Sequence, residues 1–394
     1  MRIWADVYDA SGNRLGEGPV LTVSGATISR ALDGAGTFSL RAAGTDARAL
    51  ALLTNERRVK LWGEDTGGVR LLGEGIIRKV NMEESQTGVT RRAGGPDVLD
   101  ELKRRNTLRG RIYNQQTVAT VAAGLIALAP GWSVDVDAGI GADLVDARYD
   151  GASVLKAFQD MAGRYGYHLR ASATASKTLE LGAFGDSNGL RIHKIEQVTQ
   201  EALSNPDLLM VQTIDTEDDS KDVVNWIEPL GAGEGVAALT LEHSTRTTPY
   251  TIQTMAAPDG ATVYYLKDAT SITAYGEIQK IVQFKGVAPL TNTDTDIENA
   301  ANALYDAAVE YLTRYKDTQE AYRVTVKNAK TSVLPGDKIH IDYKAQVQMG
   351  GTFVDYLSVQ GDFWVLKATE RIGLEESAVD LEVSNIDRAR KTTA

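Results

Sequence analysis

The sequence predicts a mainly β protein with α+β parts. Three observations carry this. Short runs of alternating apolar and polar residues, split by Gly, Asn and Asp turns, fill both ends of the chain. A middle stretch, 96–200, has apolar residues at helical spacing instead. With 43% hydrophobic residues over 394 positions, the chain has material for several packed cores and for two to four domains.

In order, Arg2-Ile3-Trp4-Ala5-Asp6-Val7-Tyr8 alternates as a strand, and Asp9-Ala10-Ser11-Gly12-Asn13 turns it. Further strands are predicted at 20–29, 37–41, 57–62, 71–80 and 88–92. Asp33-Gly34-Ala35-Gly36 reads as a hairpin connection, and 46–53 as one or two helical turns. These strands suit a sandwich or small barrel. The character changes at Gly94-Gly95-Pro96. A helix is expected over 96–106, with Pro96 in its first turn and Val98, Leu99 and Leu102 as its stripe. A second is expected over 116–128, stopped by Pro130. A third spans 153–165, capped by Ser153, with Val154, Leu155, Phe158, Met161, Ala162 and Tyr165 on one face. Strands follow at 167–171 and 178–181.

From Leu208 the chain reads as β again, with strands at 208–215, 237–241, 250–255 and 261–266. The strongest helix covers 295–316. Ile297, Ala301, Leu304, Tyr305, Ala308, Tyr311, Leu312 and Tyr315 form its apolar face. Strands at 321–327, 338–343, 363–372 and 378–384 complete the chain, with Leu334-Pro335-Gly336-Asp337 as a turn and a polar tail from Arg388.

The two ends echo each other. Phe38-Ser39-Leu40-Arg41, Arg58-Val59-Lys60-Leu61-Trp62, Gly75-Ile76-Ile77-Arg78-Lys79-Val80 and Glu83-Glu84-Ser85 come in one order near the start. Tyr322-Arg323-Val324-Thr325, Lys338-Ile339-His340-Ile341-Asp342-Tyr343, Phe363-Trp364-Val365-Leu366-Lys367 and Glu375-Glu376-Ser377 come in the same order near the end. Two similar barrels in one chain let three chains close a ring of pseudo-sixfold symmetry.

The formal net charge is −11. That is the reverse of a nucleic-acid grip, and it suits either plain solubility or a conduit that does not hold its cargo. The absence of cysteine excludes disulfides, thiolate zinc sites and cysteine nucleophiles. The start does not read as a signal peptide, and no apolar run reaches membrane-spanning length, so a soluble protein beginning near residue 1 is expected.

No chemistry stands out. His168, His193, His243 and His340 lack metal-ligand spacing. The acidic run Glu217-Asp218-Asp219-Ser220-Lys221-Asp222 lacks the glycine of a calcium loop, and Asp294-Thr295-Asp296-Ile297-Glu298 reads as a helix start. Gly231-Ala232-Gly233-Glu234-Gly235 does not match a dinucleotide loop. The basic pairs and triplet Arg57-Arg58, Arg91-Arg92 and Lys103-Arg104-Arg105 lack interleaved aromatics and read as surface charge or partners for an acidic neighbouring subunit. The sequence nominates no catalytic, cofactor-binding or metal-ligating residue, and no cofactor.

Several segments resemble phage tail hub proteins, the baseplate-hub family of contractile and long flexible tails. They include the run from Gly25-Ala26-Thr27-Ile28 through Asp33-Gly34-Ala35-Gly36 to Phe38-Ser39-Leu40, and Gly94-Gly95-Pro96-Asp97-Val98-Leu99-Asp100-Glu101-Leu102. Tyr149-Asp150-Gly151-Ala152-Ser153-Val154-Leu155, leading to Arg164-Tyr165-Gly166-Tyr167-His168-Leu169-Arg170, is similar to that family's helix-then-strand unit. Val224-Asn225-Trp226-Ile227-Glu228-Pro229-Leu230-Gly231-Ala232-Gly233, Ser271-Ile272-Thr273-Ala274-Tyr275-Gly276 and Leu334-Pro335-Gly336-Asp337 follow in order, so the likeness covers nearly the whole chain. The resemblance implies two tube-like β-barrel domains, at 1–95 and 206–394, the second including the helix at 295–316, with a peripheral α/β insertion at 96–205. It implies a non-enzymatic homotrimer in the virion tail tip, made in the host bacterial cytoplasm. Its partners would be a distal tail ring or tail tube protein, a tip fibre or spike protein and a tape-measure protein. DNA would be present only in transit, and there would be no membrane insertion. The alternatives are a host-surface carbohydrate-binding or carbohydrate-active β protein and a hexameric distal tail ring protein.

Overall fold

A computed structural model describes residues 2–65, 68–85, 88–194, 208–219, 223–258, 260–327, 333–349, 351–373 and 377–386. The first unit holds β1 (Arg2–Tyr8), β2 (Val23–Ala31), β3 (Gly34–Ala43), helix α1 (Ala47–Leu52), β4 (Arg58–Asp65), β5 (Gly68–Ile76), β6 (Lys79–Ser85) and β7 (Gly88–Pro96). Strands β1, β4 and β5 make one antiparallel sheet, and β2, β3, β7 and β6 form one end of a ten-stranded sheet. The two-residue period decides what each face does. On β3, Phe38, Leu40 and Ala42 are buried while Thr37, Ser39 and Arg41 are exposed. The inward faces meet in one core with Ile3, Val7, Ile28, Val59, Leu61 and Leu72.

The α/β stretch after β7 starts with a 3-10 helix at Val98–Arg104, not with the expected 96–106 helix. Pro96 is the last residue of β7 rather than a first-turn residue. Asp97 is the cap, accepting from Leu99 N at 3.0 Å. A proline with no N–H to offer ends a strand as readily as it begins a helix, which is why the sequence misled here. Then come β8 (Arg111–Thr117), α2 (Val118–Ile126), β9 (Ser133–Val136), β10 (Leu144–Tyr149), α3 (Val154–Tyr165), β11 (His168–Ala171) and β12 (Thr178–Gly182). Helix α3 is capped by Ser153, which accepts from Lys156 N, and stops at Gly166 in the left-handed region (φ 73°). Its apolar face joins α2 and the strands in a separate core around Phe158, Met161, Val121 and Leu125.

Strands β13 (Ser187–Lys194) and β14 (Leu208–Asp219) return to the ten-stranded sheet. A module then intervenes: β15 (Trp226–Leu230), β16 (Gln253–Ala256), β17 (Thr262–Lys267), α4 (Ala269–Tyr275), β18 (Gln279–Gln283) and α5 (Asp294–Tyr315). Its four strands form their own sheet, and α5 packs Leu304, Tyr305, Ala308 and Leu312 into a core of their own. The strand expected at 237–241 is absent; the chain makes a short 3-10 turn at Gly235–Ala237 and loops back so that Leu239 N donates to Ala232 O at 3.0 Å. Finally β19 (Gln319–Lys327), β20 (Lys338–Met349), β21 (Thr352–Gly373) and β22 (Ser377–Ser384) complete a barrel. Its order, β20-β13-β14-β19-β22-β21, closes because β20 also pairs with β21. Leu190, Ile192, Val324, Ile341, Phe363 and Leu381 fill it. Glu375-Glu376, Ser220-Lys221-Asp222 and the tail from Arg388 lie outside the described residues.

Candidate assembly edges and channel-facing sheet

The echo between the two ends is a repeat of strand pairing. Hairpin β6–β7 pairs Lys79↔Gly94, Val80↔Ala93 and Glu83↔Thr90. Hairpin β21–β22 pairs Lys367↔Glu382, Ala368↔Leu381 and Arg371↔Ala378, the same register at one constant offset. The next pair agrees: Leu40↔Ala93 in β3–β7 corresponds to Val324↔Leu381 in β19–β22. So does the one after: β2–β3 carries a register shift between Val23 and Gly25, and β14–β19 carries it between Val211 and Thr213. A bulge kept at an equivalent place marks a shared backbone path, because it re-aims every residue beyond it. Arg58↔Ile76 in β4–β5 likewise matches Lys338↔Trp364 in β20–β21. The shared Glu-Glu-Ser is not part of this correspondence: in register, Glu83 stands where the second unit has Arg371.

The two units are joined edge to edge. Strand β21 leaves the second unit and β2 belongs to the first, and they pair antiparallel from Gly25↔Gly373 through Ile28↔Glu370 to Ala31↔Lys367. Side chains stitch this seam. Arg30 Nη1 meets Glu370 Oε1 at 2.7 Å, with both side chains nearly buried, and Arg30 also donates to Leu72 O. Thr369 Oγ1 donates to Ser29 Oγ at 3.0 Å.

The repeat makes the seam informative about what is left over. In the first unit, the strand equivalent to the second half of β21 is β6, and it ends the ten-stranded sheet, paired among the described residues with β7 alone. In the second unit, the strand equivalent to β2 is β14. Strand β13 covers it only at 208–211, so among the described residues no strand pairs with the outer edge of 213–219. Among the described residues, each chain therefore presents one unpaired copy of each half of its own internal seam. Met82 on β6 is 50% exposed, whereas Glu370 at the matching seam position is 5% exposed.

Eight strands, from β14 through the seam to β6, form one continuous sheet. One face supplies both cores. The other is polar: Thr37, Ser39, Thr325, Arg323, Thr369 and Arg371 lie on it. Its charges are mostly paired across strands, Arg371 with Asp380 at 2.6 Å, Lys367 with Glu382 at 3.3 Å and Arg92 with Glu83 at 2.6 Å. A face of paired charges and hydroxyls has little net field with which to retain phosphates.

The chemistry-bearing residues singled out in the sequence are not brought together. His168 is buried on Asp33 Oδ2 at 2.9 Å, and His340 faces Asp362 Oδ1 at 2.9 Å on the barrel surface. Asp33, held at φ 58° in the β2–β3 turn, is an anchor. Its N donates to Leu169 O, its Oδ1 accepts from Leu169 N and its carbonyl accepts from Gln159 Nε2. That ties the first unit to β11 and α3. Among the described residues no group of three or more His, Asp or Glu is placed to hold a metal. The glycine-rich segment 231–235 joins β15 to the loop after it. The basic clusters find partners inside the chain: Arg58 pairs with Glu101, Arg92 with Glu83, Lys103 with Asp100 and Arg104 with Glu56.

No family model and no curated protein matches the sequence. Solved structures do match. The tail protein from Neisseria meningitidis MC58 is 15% identical with a TM-score of 0.61, over 98% of this chain and 97% of that one. The 43 kDa tail protein of prophage MuSo2 from Shewanella oneidensis is 12% identical with a TM-score of 0.60, over 97% of each chain. The prophage tail protein gp18 from Listeria monocytogenes EGD-e is 11% identical with a TM-score of 0.55, over 98% of this chain and 95% of that one. The chain has the fold of these phage tail proteins.

Proposed function

We propose that this chain is the structural hub of a phage tail tip, three copies of which close a pseudo-sixfold ring around the DNA channel. The observation that carries this is the repeated unit: two copies of one strand arrangement, joined edge to edge, leaving among the described residues one edge on β6 at the end of the sheet and one on 213–219 of β14, beyond its pairing with β13. Such a contact is heterologous, so copies add head to tail and the arrangement is finished only by closure. Three chains of two units give six positions, which would let the ring sit on a sixfold tail tube. The polar face of the eight-stranded sheet would line the channel, with its paired charges letting DNA pass without being gripped. The overall negative charge is then carried elsewhere on the molecule.

On this reading the division is a first tube-like unit at 1–95, a peripheral α/β unit that begins at 96 and ends before β13 rather than at the expected 205, because β13 pairs with β14 and β20 in the barrel, and a second tube-like unit of β13 and 206–394 that carries α5 and its sheet as an insertion between β14 and β19. The role is mechanical rather than enzymatic. The partners are a tail tube or distal tail ring protein on one side, a fibre or spike protein on the other and a tape-measure protein within. Native mass measurement of the purified chain tests it: assembly at three times 42.5 kDa is expected. A hexamer would favour a distal tail ring instead, and a chain that stays monomeric at tens of micromolar would overturn the ring.

A further inference from the structure

The internal seam dictates more than the existence of an interface; it dictates a register. We propose that β6 of one copy pairs antiparallel with residues 213–219 of β14 in the next copy, with Met82 opposite Thr216. This rests on the ring reading and specifies which strands make the ring and how.

Ala26 in β2 and Ile214 in β14 occupy the same place, because Ala26↔Leu40 and Ile214↔Val324 are matching pairs. Ile28 therefore corresponds to Thr216. Glu370 corresponds to Met82, because Glu370↔Val379 and Met82↔Arg91 match. The seam pair Ile28↔Glu370 becomes Thr216↔Met82. By the same rule Gly25↔Gly373 becomes Thr213↔Ser85, and Ala31↔Lys367 becomes Asp219↔Lys79.

The residues suit these places. Met82 would take the position of Glu370, where the seam is buried and no arginine equivalent to Arg30 awaits it: β14 has Asp218 there. An apolar side chain on this edge is otherwise a liability, since exposed strand edges usually carry charge. In the same register Lys79 would pair with Asp219. Glu83 would stand opposite Asp215, each flanked by its own arginine, Arg92 at 2.6 Å from Glu83 and Arg323 across the ladder from Asp215. The order across the new seam would then be Arg92, Glu83, Asp215, Arg323, so the two acids, which repel each other on their own, each keep an arginine on the far side.

The chain has no cysteine, so engineered pairs report without background. Directly opposed residues of antiparallel strands have Cα atoms about 4.5–5.5 Å apart, within disulfide range. The double variant Met82→Cys/Thr216→Cys, and a second in-register pair Glu83→Cys/Asp215→Cys, are oxidised mildly and run on non-reducing gels. Chains linked into dimers and closed trimers are expected for both. The single variants and the out-of-register pair Met82→Cys/Asp215→Cys should stay unlinked. An assembly of ring mass in which neither in-register pair links, or in which the out-of-register pair links equally, overturns the seam while leaving the ring standing. Linking by Met82→Cys alone would mean β6 pairs with itself in a twofold contact, which also overturns it. A chain with no mass above one copy removes the ring and the seam together.

Discussion

At the residue scale, Asp97 shows how much one side chain carries at a handover between elements. It follows the last residue of β7, caps the 3-10 helix through Leu99 N, and reaches back so that Gly36 N donates to its Oδ2 at 2.6 Å. Burial pushes its carboxyl up to about 6 from the ordinary 3.8, against the pull of the two backbone donors. The folded state thus holds a proton in a window where the unfolded chain has released it. The group's contribution to stability therefore falls as pH rises from about 4 to about 6, by something on the order of 3 kcal/mol. The second unit has Asn385 at the equivalent place, its N donating to Glu320 O as Asp97 N donates to Gly36 O. A neutral amide is therefore compatible with this backbone. In Asp97→Asn, that part of the pH dependence should vanish. Urea unfolding at pH 4, 5, 6 and 7 should show the wild type losing ground to the variant across that window; a constant difference would mean the site does not titrate there. None of this was visible in the residue order, where the neighbouring Pro96 drew the helix start to itself.

At the element scale, the strands that alternate are those whose two faces differ in burial, and those are the ones legible in the sequence. Strands β1, β3, β19 and β22 each have a core face and a polar face, and their residues say so. Strand β21 runs 22 residues, yet only 363–372 was readable, because its first part pairs with β20 alone and, among the described side chains, has no regular buried face. Strand β8 is largely exposed for the same reason. Helices α3 and α5 were legible because their apolar stripes are full and their caps are Ser153 and Thr293. The seam between β2 and β21 was not, since a pairing between residues some 340 positions apart leaves no local pattern. Its Arg30–Glu370 pair is nearly out of water, so breaking one side should cost more than removing both. Glu370→Ala should destabilise by about 3–5 kcal/mol by leaving Arg30 uncompensated, whereas Arg30→Met/Glu370→Met should fall within about 1–2 kcal/mol of wild type. Equal losses in the two variants, by denaturant midpoint, would show that the seam depends on packing and not on the charge pair.

At the scale of the whole molecule, the order of the repeat was legible, but its arithmetic was not. Matching Glu-Glu-Ser triplets pointed the right way by an inexact route, because register and not residue identity is what the two units share. The repeat also explains the interruption by α5 and its sheet. In the first unit β2 and β3 are joined by a two-residue turn at Leu32 and Asp33. In the second, the equivalent strands β14 and β19 still pair to their tips, Asp219↔Gln319, with the whole module between those two residues. The module thus enters and leaves at adjacent points and keeps its hydrophobic cluster to itself. It touches its surroundings by contacts such as Arg164 Nη1, on α3, donating to Gly286 O at 3.0 Å. Replacing 220–318 by an Asn-Gly turn should therefore restore a short hairpin and leave the barrel closed. The shortened chain should unfold cooperatively, keep its β circular dichroism and still form the same number of copies in solution. Its peripheral unit, having lost the Arg164 contact, should be the part that exchanges amide hydrogens faster. If the excised chain instead loses cooperative unfolding, the module is a structural part of the barrel, and the two units are not the self-sufficient repeats that ring closure requires.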